Sequence, residues 1–393
     1  MYKFHPNQEA TAEEIIGLIM VFQTMCMVLL AQMQSGKTGT YLKVALDSVK
    51  NGHIDHVLII SGSRDTSLRG QTNQDLVDAI NSYCTFIHEG EECIRSSLKK
   101  KLTENIRVFW SQDLHKITEI EDNTLIIHDE SHAAQSKDNV PYRKFYIKHK
   151  LEKVLYGDDS QLRERKIRLL NVSATPFSEL ICNEKVKKDF LTDEERSIIG
   201  EMPLTEKSII FGKPGDSFKG VSHFLRNGCI HFESERIHEG SYDHIQRTLR
   251  KSKYTNKYCI VRTRCAEKNE HLMRTIARVT GCEYIPVFAS NPGDDASKAL
   301  DFLKCEPASK TLVHICGKAR MGQVLDKTHV SMVYEQADNP NTDTILQGLL
   351  GRMCGYYNTP IPDIYLSSKT EVAVRRYAKA WDQGSIDSIL KEK

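Results

Sequence analysis

Short apolar segments alternate along this chain with longer amphipathic or polar stretches, and this rhythm limits how the chain can fold. Residues 25–31, 57–61, 107–110, 124–128 and 169–173 form a first set of predicted strands. A second set follows at residues 258–262, 283–287, 311–316 and 330–334. Strands separated by segments long enough for a helix are typical of parallel sheets covered by helices. The sequence therefore predicts an α/β fold with two parallel β-sheets flanked by helices.

The stretch between the two sets divides the chain. Residues 177 to about 240 are richer in charge, Gly and Pro, and Lys213-Pro-Gly-Asp216 is a turn signal within them. A length of 393 residues accommodates two or three domains of roughly 100–200 residues each. We expect a first domain over residues 1–240, with an irregular connector from about 177, and a second over residues 241–393.

Charge and cysteine content narrow the class of protein. The chain has 54 Lys and Arg against 52 Asp and Glu, a net charge of +2, which excludes a strongly basic coating protein. A local basic groove for nucleic acid stays compatible with that balance. The 11 cysteines are dilute and form no paired C-x-x-C pattern, so we expect reduced thiols in an intracellular protein of the cytoplasm or nucleus.

One apolar stretch, residues 15–31, resembles a short membrane-spanning helix in length. Gln23 and Thr24 interrupt it, Glu13 and Glu14 precede it, and no basic segment or small-residue cleavage site frames it. We therefore predict a buried helix from about residue 12 to residue 22, then a buried strand, and no membrane segment.

The segment Ala31-Gln-Met-Gln-Ser-Gly-Lys-Thr38 lies between a predicted buried strand and a predicted helix over residues 41–50. That context favours a phosphate-binding loop over a chance surface turn. Gly36 allows the backbone to approach a nucleotide, Lys37 reaches terminal phosphates, and the Thr38 hydroxyl ligates Mg²⁺. Two positions depart from the usual pattern, because Ala31 and Gln34 stand where glycine is common.

A second strand, residues 124–128, ends in the two adjacent carboxylates Asp129 and Glu130. Asp129 can hold a Mg²⁺ ion while Glu130 orients and deprotonates an attacking water. An ordinary acidic strand end is the alternative, and the phosphate-loop pattern upstream favours the catalytic interpretation.

These motifs resemble those of superfamily 2 helicases and their DNA-translocase relatives. Residues 31–38 are similar to the A-x-T-G-S-G-K-T form of motif I, although Met33 and Gln34 depart from it. Asp129-Glu-Ser-His132 is similar to the DExH form of motif II, and Ser173-Ala-Thr175 before Pro176 matches motif III.

The second half resembles the partner domain of that superfamily less closely. Arg262 and Arg264 end a strand where motif IV would lie, and residues 319–322 look like motif V without its following aspartate. Residues 347–352 are similar to motif VI, with Gly355 in the place of a second arginine. Residues 213–216 and 351–356 are similar to helicase-like ATPases of restriction-modification and viral or phage systems.

The resemblance implies two tandem RecA-like P-loop domains that bind ATP and Mg²⁺ between them. The residues it implies for nucleotide binding are Gln34, Ser35, Gly36, Lys37 and Thr38, and those for Mg²⁺ are Thr38 and Asp129. The catalytic residues would be Lys37, Glu130 and Arg352, with Arg352 stabilising charge on the γ-phosphate. Coupling residues would be His132, Ser173, Thr175, Gly322 and Gln347, and nucleic-acid contacts would be Arg262 and Arg264. Ser173 and Thr175 have a simpler alternative role in capping a turn.

The function that follows is ATP hydrolysis coupled to movement on nucleic acid, with DNA favoured over RNA. Basic clusters at residues 246–274 and 143–168 are candidate phosphate-contacting surfaces, and solvated helix faces are the alternative. Gly355 and the altered motif V leave open a helicase-like scaffold subunit with weak or no ATPase activity. A P-loop kinase is disfavoured because it needs neither residues 173–175 nor residues 347–352. We expect targeting to come from a partner protein, since no long accessory domain follows the second domain.

Overall fold

The structure is a computed structural model. It describes residues 2–61, 66–87, 92–131, 140–156, 158–174, 208–251, 253, 255–263, 266–288, 298–316, 325–336 and 348–385. The chain divides into two compact units, Met1–Gly215 and Asp216–Lys393. Each unit is built around its own six-stranded sheet.

The first unit alternates strands and helices. Its described helices are α1 (Pro6–Met20), α2 (Lys37–Lys50), α3 (Thr66–Ile87), α4 (Glu92–Asn105), α5 (Val140–Lys148) and α6 (Ser160–Glu164). Its described strands are β1 (Cys26–Ala31), β2 (His56–Ser61), β3 (Ile106–Trp110), β4 (Thr124–Asp129), β5 (Arg168–Ser173) and β6 (Ile209–Gly212).

The first sheet has the strand order β3-β2-β4-β5-β1-β6, and every paired strand runs parallel to its neighbour. Successive residues of β2 face opposite sides, because side chains alternate along a strand. Val57 and Ile59 pack in one apolar cluster, and Leu58 and Ile60 pack in another. The sheet is therefore buried on both faces, which is why its strands read as continuous apolar runs.

The second unit repeats this architecture. Its described strands are β7 (Phe218–Lys219), β8 (Ile230–His231), β9 (Tyr258–Thr263), β10 (Glu283–Phe288), β11 (Thr311–Cys316), β12 (Val330–Glu335), β13 (Gly355–Tyr356) and β14 (Asp363–Tyr365). Its described helices are α7 (Val221–Arg226), α8 (Asp243–Leu249), α9 (Ala266–Thr280), α10 (Leu349–Met353) and α11 (Glu371–Gln383). The sheet order is β10-β11-β9-β12-β14-β8, all parallel, and β13 pairs with β7 as a small antiparallel ribbon.

The predicted α/β class is confirmed, and each of the nine predicted strands lies within one residue of an observed strand at either end. Short strands such as β8 and β14 were not predicted, since two or three residues carry too little periodicity. The first compact unit ends at Gly215 along the chain, and the sequence indicates a domain division near residue 240. Residues 216–240 lie with the second unit, because β7 pairs with β13 and β8 pairs with β14.

The predicted helix at residues 12–22 is longer and earlier in the structure, where α1 spans Pro6–Met20. Pro6 occupies the first turn, where its fixed φ favours helix initiation and its missing N–H has no cost. Among the described residues, no helix combines the length and the apolar character needed to cross a membrane.

Candidate functional site

The loop between β1 and α2 has the backbone of a phosphate-binding turn. β1 ends at Ala31 and α2 begins at Lys37, so residues 32–36 turn the chain from strand to helix. Gly36 has φ +104°, a conformation that side chains rarely adopt. Gln34 has φ +59°, so the left-handed backbone that usually selects glycine is retained there despite the side chain. Ser35 Oγ donates to the Gln32 carbonyl at 2.8 Å and fixes the turn.

Gln8 of α1 also contacts this loop, and it is not among the residues predicted for the site. Its Nε2 donates to the Gly36 carbonyl at 3.1 Å, and its Oε1 accepts from the His5 backbone N–H at 2.9 Å. A Cβ added at Gly36 would lie 2.5 Å from Gln8 Nε2, and one at Gly39 would lie 2.3 Å from the same atom. Glutamine at the third position of a helix that starts with proline is a capping pattern, which is the signal that could have found it.

The central pair of the site joins residues that are far apart in sequence. Lys37 Nζ lies 3.1 Å from Glu130 Oε1, and both side chains are only 10% exposed. Lys37 is the first residue of α2, which follows β1, and Glu130 follows β4. The carboxyl ends of β1 and β4 lie at the same edge of the sheet, with β5 between the two strands. In open α/β sheets ligands bind outside this edge. The structure therefore brings the predicted phosphate lysine and the predicted base together.

Glu130 is held in an uncommon backbone conformation, with φ +53°. Its N–H donates to Asp129 Oδ1 at 3.1 Å, so the two carboxylates are connected through the backbone. A non-glycine residue in the left-handed region costs of order 1–3 kcal/mol and is often found at functional sites. Glu130 has this backbone conformation where its carboxylate contacts Lys37.

Asp129 is partly buried, in an environment that disfavours its charge. Burial, and secondarily the neighbouring Glu130 carboxylate, raise the pKa of Asp129 to about 6, while Lys37 acts in the opposite direction. A divalent cation would relieve this repulsion, and a hydroxyl with one or two carboxylates is a donor set that suits Mg²⁺ together with substrate phosphates. The side chains of Thr38 and Asp129 thus have the chemistry that the predicted cation requires. Among the described residues, no group of three or more His, Cys, Asp or Glu is arranged to hold a metal ion.

The third predicted motif lies beside the first two. Ser173 ends β5 and is fully buried, directly opposite Leu30 of β1 in the parallel register. Ser131 Oγ donates to the Val172 carbonyl at 3.3 Å and ties the segment after β4 to β5. Residues 32–37, 129–131 and 173–174 therefore lie at one edge of the first sheet.

In the second unit, two of the predicted residues gather around one carboxylate. Arg262 Nε donates to Glu335 Oε1 at 2.8 Å, where the ends of β9 and β12 lie side by side. Arg352 lies in α10 and is fully buried, and its charge acts on the same Glu335. Burial raises the pKa of Glu335, and Arg262 is the largest influence opposing that rise. Glu335 is not among the residues predicted for the site.

The place of the second motif VI arginine is taken by a glycine with a structural reason. Gly355 has φ +133° and pairs with Lys219 in the β7–β13 ribbon. Any residue with a Cβ is strained in that conformation. The arginine at this position would therefore conflict with the local backbone.

Five of the predicted site residues lie outside the part of the chain that the structure describes: His132, Thr175, Arg264, Gly322 and Gln347. Among the described residues of the basic cluster at residues 246–274, side chains pair with carboxylates at four positions. These pairs are Lys253 with Asp363, Lys257 with Glu306, Arg262 with Glu335 and Arg274 with Glu270. Much of this charge is therefore balanced within the second unit.

A comparison with protein families finds that residues 2–178 match the family described as type III restriction enzyme, res subunit. An uncharacterized protein of Acanthamoeba polyphaga mimivirus is 35% identical over 82 residues, which is 21% of this chain and 19% of that protein. The match therefore spans about a fifth of the relative's length.

Among solved structures, a DEAD-box helicase bound to ssRNA and UDP-BeF matches with a TM-score of 0.53 and 13% identity, over 96% of this chain and 73% of that one. A DEAD box protein from the hyperthermophile Methanococcus jannaschii matches with a TM-score of 0.41 and 15% identity, over 95% and 90% of the two chains. The first of these likenesses extends over both units and identifies the fold.

Proposed function

We propose that this chain is a superfamily 2 helicase with two RecA-like domains, and that it hydrolyses ATP to drive movement on nucleic acid. The contact between Lys37 and Glu130 at 3.1 Å carries the proposal. It supports the proposal because a lysine and a carboxylate lie together at one sheet edge, next to a strand-to-helix turn of the kind that binds phosphates. Both side chains are largely removed from solvent, which strengthens their interaction.

Each residue has a definite task in this scheme. The backbone N–H groups of residues 35–38 and the amino end of α2 hold the phosphates. Lys37 exchanges its Glu130 partner for the terminal phosphates, which leaves Glu130 to orient water and accept its proton. Mg²⁺ held by Thr38 and Asp129 would neutralise charge on the phosphate oxygens. Arg352 is the residue proposed to stabilise charge that develops on the γ-phosphate.

We favour DNA over RNA as the polymer. Support comes from the match of residues 2–178 to a restriction-enzyme family, since restriction acts on DNA. An RNA helicase is the alternative, because cores of this kind contact the backbone rather than the bases, and one structural neighbour was solved with ssRNA.

The test is the ATPase rate of the purified chain with no polymer, with single-stranded DNA, with duplex DNA and with RNA. We expect stimulation by DNA and less by RNA. Lys37→Ala should reduce turnover at least 10³-fold in every condition, as expected for loss of a transition-state contact with phosphate. Lys43→Ala is the matched control, because Lys43 lies on the same helix but pairs with Asp47 at 2.9 Å.

Equal turnover by wild type and Lys37→Ala would refute hydrolysis at this site. Unchanged melting temperatures for both lysine variants would show that any loss is chemical rather than structural. Stimulation by RNA alone would replace DNA with RNA as the substrate.

One observation supports a second candidate, a scaffold subunit with weak ATPase activity. Gly355 stands in the place of the second arginine of motif VI, so Arg352 is the single arginine there, and the φ of +133° at Gly355 disfavours any side chain at that position. A chain of this kind would bind ATP and polymer while showing no turnover with any of the four conditions. Binding of a fluorescent ATP analogue without hydrolysis would therefore favour the scaffold.

A further inference from the structure

Glu335 is a buried carboxylate that the proposed mechanism does not use. It is the last residue of β12, and 4% of its surface is exposed. Removing a carboxylate from water is costly unless cations or hydrogen-bond donors surround it. Its partners in the second unit therefore show what it is there to hold.

The first partner fixes the position of the carboxylate. Arg262 Nε donates to Oε1 at 2.8 Å, and the two residues are direct neighbours in the β9–β12 register. The next rung, from Gln336 N–H to the Arg262 carbonyl at 3.1 Å, keeps the two strand ends together. Oε1 is thus anchored to the sheet.

The other oxygen faces the segment that carries Arg352. The N–H of Leu349 reaches Glu335 Oε2 at 3.5 Å, at the start of α10. Arg352 lies three residues further along this short helix, is fully buried, and acts electrostatically on the same carboxylate. Glu335 therefore connects the rigid sheet, through Arg262, to the helix that bears Arg352.

We propose that Glu335 is a positioning residue for Arg352, a single carboxylate that fixes the proposed catalytic arginine relative to the sheet of the second unit. The inference rests on the proposed ATP hydrolysis. The two guanidinium groups carry two positive charges against one carboxylate, so Glu335 orients Arg352 without cancelling the charge that the reaction needs. A misplacement of about 1 Å in such a group costs on the order of 10² in rate.

The experiment measures kcat and KM for ATP with the most stimulating polymer, together with the equilibrium binding of a fluorescent ATP analogue. Glu335→Gln keeps the shape and one acceptor but removes the charge. We expect kcat to fall about 10²-fold while analogue binding stays within about threefold of wild type. Glu270→Gln is the matched control, because Glu270 also pairs with an arginine, Arg274 at 2.7 Å, but on the surface of α9.

A double variant separates positioning from general destabilisation. If Glu335 acts through Arg352, adding Glu335→Gln to Arg352→Ala should lower kcat no further, since residues that act as a unit are not additive. A purely structural role predicts a further loss in the double variant and a weaker binding of the analogue. Glu335→Asp, which keeps the charge on a shorter side chain, provides the same test if Glu335→Gln does not fold.

The outcomes distinguish this inference from the function on which it rests. If Arg352→Ala slows hydrolysis but Glu335→Gln and Glu335→Asp do not, the positioning role is wrong and the proposed function stands. If Arg352→Ala hydrolyses ATP at the wild-type rate, both the role of Arg352 and the positioning role are wrong, while Lys37→Ala still tests hydrolysis at the first sheet.

Discussion

His314 makes the stability of the second unit depend on pH. It lies on β11 and is fully buried, with Nε2 at 2.7 Å from Thr263 Oγ1 and Nδ1 at 2.9 Å from Tyr284 Oη. The ring of Phe288 packs edge-on against it at 5.0 Å between centroids. Burial lowers the pKa of His314 to about 4 from 6.5, although Glu270 favours its charged form. The folded protein therefore holds this imidazole neutral at neutral pH.

The size of the effect follows from the two pKa values. In the unfolded chain the ring takes up a proton below pH 6.5, whereas in the fold it does so only below about pH 4. The contribution of neutral His314 to the free energy of unfolding is therefore fully present above pH 6.5 and is lost as the pH falls towards 4. At about 1.4 kcal/mol for each pH unit, the loss from this group approaches about 3 kcal/mol.

The assay is urea unfolding between pH 4 and pH 8, followed by tryptophan fluorescence. The chain has two tryptophans, and Trp381 lies in α11 of the second unit, so Trp110→Phe makes the fluorescence report on that unit alone. This matters because a two-unit chain need not unfold in one step. His314→Gln is compared with its parent in the Trp110→Phe background, since glutamine keeps both hydrogen-bonding functions but does not titrate.

We expect His314→Gln to be less stable than its parent at pH 7.5, because the packing against Phe288 is lost. The difference should shrink by about 3 kcal/mol between pH 7 and pH 4, because only the parent loses stability through this group. A difference that stays constant across this range would refute the reasoning, since it would show that His314 titrates equally in the folded and unfolded chains.

Three further predictions concern the backbone of the two motif regions. Gln34→Gly should stabilise the first unit by about 1 kcal/mol in urea unfolding, because it removes the strain of a side chain at φ +59°. Gly36→Ala should weaken binding of a fluorescent ATP analogue at least tenfold, and adding Gln8→Ala should restore only part of it, since the 2.5 Å contact is removed but the φ of +104° is not. Gly355→Arg should destabilise the second unit by about 1–3 kcal/mol without raising the ATPase rate, because its φ is +133°. A rate increase there would show that the second arginine can be accommodated.

The proximity of Lys37 and Glu130 could be predicted from the sequence for a physical reason. Lys37 and Glu130 are 93 residues apart, yet Lys37 follows the short turn after one strand and Glu130 directly follows another, and both apolar runs are easy to recognise. Strands of a parallel sheet end at a common edge, so the strand assignments alone bring both residues to that edge. Gln34 stands where glycine is common in this loop, and its backbone still has the left-handed conformation that glycine adopts. The loop therefore keeps its shape at a cost in backbone strain.

The same reasoning cannot find Gln8 or Glu335. Gln8 precedes the first strand by many residues, and its contact with Gly36 depends on how α1 packs against α2. Glu335 looks like any acidic strand end, and its role depends on a partner 73 residues away. Side-chain pairs across a sheet depend on strand order, which periodicity does not determine.

Arg262 shows how such a pair changes the interpretation of a charged residue. The sequence places it at a strand end in a basic stretch, which predicts a contact with nucleic-acid phosphate. In the second unit its guanidinium instead binds Glu335 at 2.8 Å, with 18% of its own side chain and 5% of its partner's exposed. A phosphate that took Arg262 away would leave a buried carboxylate short of a partner, and breaking a buried pair costs about 3–5 kcal/mol. A surface phosphate contact returns less than that, so the geometry favours the ion pair as the main partner of Arg262.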